Sequence, residues 1–372
     1  MPYTNIDDPS AHFQAFTYTG TGTTNSITLD GNSDLQPDLY WYKTRSNSNY
    51  HYLADSSRGT TKYIYPNDSL AEGTVSSLYV QSFDTNGVTL GAGDSGTNTG
   101  GTTFANWVWK ANGGTTTSVS ASGTGANCIN ASTHQVNQDA GFSIITYTGR
   151  ADQITVHQQT NLTHGLGVAP DLTIMKKRDA TGGWVVMGKH VTTSSAYSAN
   201  EYLRLDTSDA ISNAQYTGYV APTSTYIYLG DALVNDTGND YICYAFAEKQ
   251  GYSKFGSYIG NGQSLNGPFV YTGFSPAFVM IKNTETGGRN WYIYDTKRRA
   301  FNANGTVISA NTTGAEATDQ AIDILSNGFK VRPGALGSFG TSTINHSGQK
   351  MIYMAFAENP FVTSTGIPTT AR

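Results

Sequence analysis

Apolar and polar residues alternate with a period of two through most of the chain. Phe16 and Tyr18, then Ile27 and Leu29, stand between polar neighbours. Leu39, Trp41 and Lys43 fall on one face of the next segment and Tyr40 and Tyr42 on the other. In Phe278-Val279-Met280-Ile281-Lys282 both faces stay apolar until the lysine, the pattern of a central strand covered on both sides. Asn86-Gly87 and Asn327-Gly328 each sit between two apolar runs and predict hairpins, because Asn and Gly tolerate positive φ. No stretch sustains a 3.6-residue period. Only Thr318 to Ser326 offers a short helix.

The pattern recurs three times. Tyr18-Thr19-Gly20 precedes Pro37 and Lys43, Tyr147-Thr148-Gly149 precedes Pro170 and Lys176, and Tyr258-Ile259-Gly260 precedes Pro276 and Lys282. Each Pro stands six residues before its Lys, across a largely apolar span. The closing segments match as well. Tyr241 to Glu248 and Met351 to Glu358 agree at five of eight positions, with Phe104 to Lys110 a weaker first copy. A unit of about 110 residues in triplicate predicts a scaffold or binding array. The expected architecture is all-β: three tandem antiparallel β-sandwich modules, jelly-roll-like, of about six to eight strands each.

The boundaries fall at 12–111, 140–249 and 256–360. Residues 112–139 are rich in Gly, Thr, Ser, Ala and Asn and read as a flexible linker. The second junction, Lys249 to Phe255, is short. Modules two and three are therefore expected to touch, while module one swings. Residues 361–372 form a polar C-terminal tail, frayed or docked on a partner.

Composition narrows the function. Of 372 residues only 13% are charged, and the formal net charge is −5. That favours neither nucleic acid nor an anionic membrane. No run approaches the ~20 apolar residues of a membrane span, so membrane insertion is not expected, and the N-terminus lacks the basic and apolar regions of a secretory signal. Two cysteines, Cys128 and Cys243, cannot make a disulfide framework and read as free thiols from a reducing cytoplasm.

The search for chemistry yields no catalytic, cofactor-binding or metal site. None of the seven histidines stands at a zinc-ligand spacing. His164, before Gly165-Leu166-Gly167, has no copy in the other modules and reads as structural. Asp55-x-x-Arg58 and Asp295-x-x-Arg298 invite a carboxylate-and-guanidinium reading, but module two has Met187-Gly188-Lys189-His190 there, which favours a strand-end clasp. Glu248 and Glu358 end equivalent strands. A two-carboxylate hydrolase needs its pair roughly 5–9 Å apart on one substrate, and each module offers one. Lys43, Lys176 and Lys282 read as packing residues whose ammonium groups snorkel from the sheet rim rather than as nucleophiles. Asn235 to Asp240 departs from calcium-loop spacing and reads as a solvated turn. Trp184 and Trp291 are candidate aromatic contacts, with a core role favoured for both.

Longer segments carry a resemblance. Met1 to Ser10, Gly141 to Gly149, His164 to Leu172, Gly267 to Phe274 and Ala355 to Phe361 together resemble virion proteins of marine tailed bacteriophages, including those of cyanobacteria. The resemblance implies a non-enzymatic structural protein of the particle exterior, assembled in the host cytoplasm: a tail fibre or tail-tip protein that meets the host surface. A capsid decoration or head-fibre protein is the alternative, and a glycan-degrading tailspike is disfavoured by the absent acid pair. The implied partners are other virion proteins and a host surface glycan or protein. By analogy with fibres the assembly would be a homotrimer; the triplication could instead mimic a trimer within one chain.

Overall fold

A computed structural model describes residues 3–75, 79–93, 96–121, 131–150, 160–193, 201–213, 221–230, 232–336 and 343–368. Module one contains β1 (Phe13–Thr19), β2 (Asn25–Thr28), β3 (Leu39–Thr44), β4 (Tyr52–Asp55), β5 (Lys62–Tyr63), β6 (Gly73–Thr74), β7 (Val80–Asp84), β8 (Gly87–Leu90) and β9 (Thr103–Trp109). Its sheets run β1-β9-β3-β4 and β2-β8-β7, with a small β5-β6 pair. Next come β10 (Thr117–Val119), β11 (Ser132–Asn137), β12 (Phe142–Thr148), β13 (Thr160–Thr163), β14 (Leu172–Lys177), β15 (Val185–Gly188), β16 (Glu201–Arg204), β17 (Ser212–Asn213), β18 (Tyr226–Leu229) and β19 (Asp240–Phe246). They form the sheet β10-β11-β12-β19-β14-β15-β16-β17 and the pair β13-β18. Module three holds β20 (Ser253–Ile259), β21 (Phe269–Tyr271), β22 (Phe274–Asn283), β23 (Tyr292–Asp295), β24 (Asn304–Ser309), β25 (Ala317–Leu325), β26 (Gly328–Arg332) and β27 (Lys350–Pro360), in the order β20-β27-β22-β23-β24-β25-β26-β21. The fold is all-β with antiparallel, sandwich-like modules. A four-residue helix, Ala232–Asn235, is a minor interruption.

The two-faced strands explain the packing. Tyr40 and Tyr42 enter the core of module one's sandwich, while Leu39 and Trp41 turn the other way. Likewise Met175 enters module two's core and Ile174 leaves it, and Val279 and Ile281 oppose Phe278 and Met280. The outward-turned residues of all three modules meet in one further core. That core includes Trp41, Trp107 and Trp109 with Ile174, Tyr244 and Phe246 and with Met280, Met354 and Phe356. Trp109, Phe246 and Phe356 occupy the same register in their sheets, opposite Leu39, Leu172 and Phe278. Their rings close a triangle with centroid separations of 6.4, 5.5 and 6.0 Å. The chain is thus a pseudo-trimer around a shared aromatic axis, each aromatic pair adding about 0.5–1.5 kcal/mol beyond burial.

Three expectations change. Module one does not swing, because its β3–β9 face is buried in the common core. Residues 112–139 are not a uniform coil: β10 and β11 extend module two's sheet, and Asp38 accepts the backbone N–H groups of Ala111, Gly113 and Gly114 at 2.7, 2.9 and 3.0 Å. Residues 122–130, with Cys128, lie outside the described residues. The helix expected near Thr318 to Ser326 is strand β25, since Ile322 and Ile324 alternate into module three's core.

The Asn-Gly hairpins form with their loops one residue earlier than the dipeptides suggest. Asp84 pairs Gly87 and Leu325 pairs Gly328, so each Gly begins the returning strand. A side chain there would collide with the Ile27 or Val270 carbonyl of the adjoining strand, so glycine permits the close approach. The tail is tied down at its start, where Phe361 N–H reaches the Gly273 carbonyl at 3.2 Å and Ser364 bonds Asp7.

Candidate functional site

The residues with chemical promise converge on the seams between modules. In the seam of module two with module one, Arg58 Nε donates to Asp55 at 2.6 Å, and Tyr244 O–H donates to the same carboxylate oxygen at 2.8 Å. Arg58 also reaches Glu72 at 3.0 Å, and Arg178 grips Glu72 through two bonds of 2.9 and 3.0 Å. The seam of module one with module three repeats this pattern. Trp107 Nε1 and Arg298 Nε donate to Asp295 at 3.0 and 2.5 Å, and Arg45 forks onto Glu316 at 2.9 Å twice. In the third seam Gly188, Val191, Ile211, Thr284 and Met354 hold the corresponding positions, so the clasp is replaced there by uncharged residues, and the ion pair that crosses this seam, Lys254 with Glu248, lies elsewhere. The Asp-x-x-Arg motif is therefore an inter-module clasp present in two seams of three.

The backbone follows the same cycle. Glu72 N–H bonds the Arg178 carbonyl, Ile211 that of Thr284, and Glu316 that of Arg45, at 2.7, 2.8 and 2.8 Å. Trp184 and Trp291 lie in the shared core, and their indole N–H groups donate across seams to the Tyr65 and Arg204 carbonyls, each at 2.8 Å. His51 holds this position in module one, with Nε2 3.1 Å from the Ser309 carbonyl. Burial, then the nearby Lys43 charge, hold its pKa well below the ordinary imidazole value.

Lys43, Lys176 and Lys282 do not snorkel. Each side chain is buried at a seam, its ammonium on backbone carbonyls: Thr44 and Asn47 for Lys43, Ser69 and Lys177 for Lys176, Asn283 and more distantly Ser208 for Lys282. Burial lowers their pKa values to about 8, 8 and 7. At Glu72 burial pushes the carboxyl upward, but the bonds from Arg178 and the charge of Arg58 outweigh it and hold the pKa below the ordinary value.

The remaining candidates are locally engaged. His164 lies buried beneath its turn, accepting the Leu166 N–H at Nδ1 and meeting the Thr223 carbonyl at Nε2; burial brings its pKa down to about 4. Glu248 pairs with Lys254 at 2.5 Å. Asp236 takes Lys177 at 2.7 Å and Asn239 at 3.0 Å, and Asp240 takes Thr148, so the acidic turn is cross-linked to its surroundings. Cys243 is a buried free thiol whose pKa burial raises. Among the described residues no three His, Cys, Asp or Glu side chains cluster in a way that would hold a metal.

One feature had no sequence signal. A cleft of about 230 Å³ lies between modules one and three, lined by Gln14 of β1, Asp30 and Asn32 of the loop after β2, Thr296 and Lys297 after β23, and Glu358 near the end of β27. These residues are scattered over the chain, and only the superposition of the three modules marks the place.

The fold and its seams define an all-β, single-chain pseudo-trimer whose conspicuous polar groups are spent on holding modules together. The family model described as "Domain of unknown function (DUF7483)" matches residues 8–360, across all three modules, and the chain belongs to that family. No curated protein and no solved structure matches it.

Proposed function

We propose that this protein is a non-enzymatic structural component of a bacteriophage virion exterior, a tail-fibre or tail-tip protein that takes part in attachment to the host surface. The observation that carries the non-catalytic part is the fate of the candidate chemistry: Asp55, Arg58, Asp295, Arg298 and the three lysines are buried at seams, where they bond to protein partners. A body whose modules are joined by a shared core and buried bonds suits a part exposed outside the cell. The virion assignment rests on the sequence resemblance. A host glycan or protein would meet the exposed loops.

The pseudo-threefold core also supports the second reading, a capsid decoration or head-fibre protein. One chain with three similar sides can sit as a monomer on a threefold position of a shell. Cryo-electron microscopy of intact particles separates the two: density for this body at the tail favours the first, and density on the capsid surface the second. Its absence from purified particles would overturn both. Incubation with host envelope polysaccharide tests the non-enzymatic part, with pull-down and no release of soluble fragments as the expected result.

A further inference from the structure

The cleft between modules one and three has a filled counterpart in the same molecule. In module two the strand β11 pairs along the outer edge of β12, from Ser132 opposite Tyr147 to Asn137 opposite Phe142. Its Gln135 reaches across to module one, donating to Ser56 and Ser57 at 2.8 and 2.7 Å and accepting the N–H groups of Asn112 and Gly114 at 3.2 and 3.0 Å. His134 of β11 lies against Gly165, in the loop that follows β13.

The open cleft repeats each wall of that arrangement. The edge strand is β1, which corresponds to β12 and, among the described residues, pairs with β9 alone. Thr296 and Lys297 stand where Ser56 and Ser57 stand, each pair following the clasp aspartate. Glu358 and Asn359 correspond to Ala111 and Asn112. Asp30 and Asn32 belong to the loop after β2, as Gly165 belongs to the loop after β13. The third counterpart, where β20 faces module two, is crossed by side chains: Lys254 pairs with Glu248 at 2.5 Å, and His190 approaches Ser257 at 3.4 Å.

We propose that the cleft beside β1 is an acceptor groove for an extended strand from a partner chain, held as β11 is held beside β12. Edge-strand addition supplies main-chain hydrogen bonds, and a side-chain pocket supplies selectivity. The fitting occupant is a neutral, polar segment with an amide side chain at the place of Gln135. Its carbonyl would accept from Lys297 Nζ and its NH₂ would donate to Thr296. Lys297 now bonds Asp30 at 2.8 Å at the exposed rim of the cleft, and a strand that enters must share or displace that pair.

The probe is a fluorophore-labelled synthetic peptide with the sequence of residues 131–138, added to the full chain. Anisotropy should report saturable binding, and hydrogen exchange should slow in residues 13–19 when peptide is present. Asn32→Trp, an exposed position at the groove wall, should weaken binding by about ten-fold or more while leaving the thermal melt unchanged. No binding at millimolar peptide, protection that falls elsewhere, or binding indifferent to Asn32→Trp in a variant that melts normally would each overturn the proposal.

Discussion

Two seams of this molecule carry a buried ionic clasp and the third fills the clasp positions with uncharged residues, although all three share one geometry. At the first two a buried carboxylate, Asp55 or Asp295, collects an arginine from its own module and an aromatic donor, Tyr244 or Trp107, from the next. At the third, Gly188 and Met354 fill the same places, with Ile211 packed nearby. The backbone bonds across all three seams are alike. The comparison teaches that the charged clasps do not specify how the modules associate. The shared core and the main-chain bonds suffice at the third seam, and the clasps are one of two solutions to filling the same space.

The largest effect should come from breaking a clasp on one side only. Asp295→Ala takes from the buried Arg298 its 2.5 Å partner, leaving the longer 3.3 Å pair with Glu316, and should cost about 3–5 kcal/mol in urea unfolding. Met354→Ala at the third seam opens a void instead and should cost about 2–5 kcal/mol, without the salt or pH sensitivity of the first variant.

Transplanting the uncharged solution sharpens the contrast. Replacing Asp55, Arg58, Glu72, Arg178 and Tyr244 together by Gly, Val, Ile, Thr and Met should give a folded protein. Its stability should be unchanged or raised by roughly 1–4 kcal/mol, because a buried ionic group loses hydration that apolar packing never needed. Failure of that variant to fold would mean the clasp specifies the seam after all.

The lysines test what is common to the three seams. Their folded pKa values, about 8, 8 and 7, lie below the ordinary 10.5. Between those values and 10.5 the unfolded chain binds more protons than the folded one, so stability should rise with pH through that window. Well below pH 7 these groups are charged in both states and contribute no slope. Above about pH 10 the buried tyrosines, whose pKa values are raised, reverse the trend. Urea midpoints between pH 7 and 9.5 should climb, and less steeply in Lys282→Met.

The smallest effect is expected away from the clasp positions, at the exposed edge of the third seam. Glu248 and Lys254 form a partly exposed pair, and Lys254→Ala should change stability by less than about 1 kcal/mol.

Much of this was legible in the sequence because it is local. The run from Pro276 to Lys282 announced a strand buried on both faces, and the spacing from Pro37 to Lys43 announced its copies. The partner of each second face was not legible. Trp41 and Met280 look alike whether they pack on their own module or on another. Clasp partners such as Tyr244 and Asp55 stand 189 residues apart. Residues 112–121 and 131–139 looked unstructured because the groups that hold them, Asp38, Ser56, Ser57 and the edge of β12, lie elsewhere in the chain. The lysines misled for a related reason: what accepts their protons is backbone carbonyl, which carries no sequence signature. The cleft beside β1 needed the folded copies side by side before it could be seen.

The seam between modules one and three joins His51 to Ser309, 258 residues later in the chain. A growing polypeptide must therefore carry half of that joint open until nearly all of it has been made. At roughly 5–20 residues per second the wait lasts on the order of ten to fifty seconds. Through it the tryptophans of the first module lack their last cover, and the ring closes only once the third module has been made.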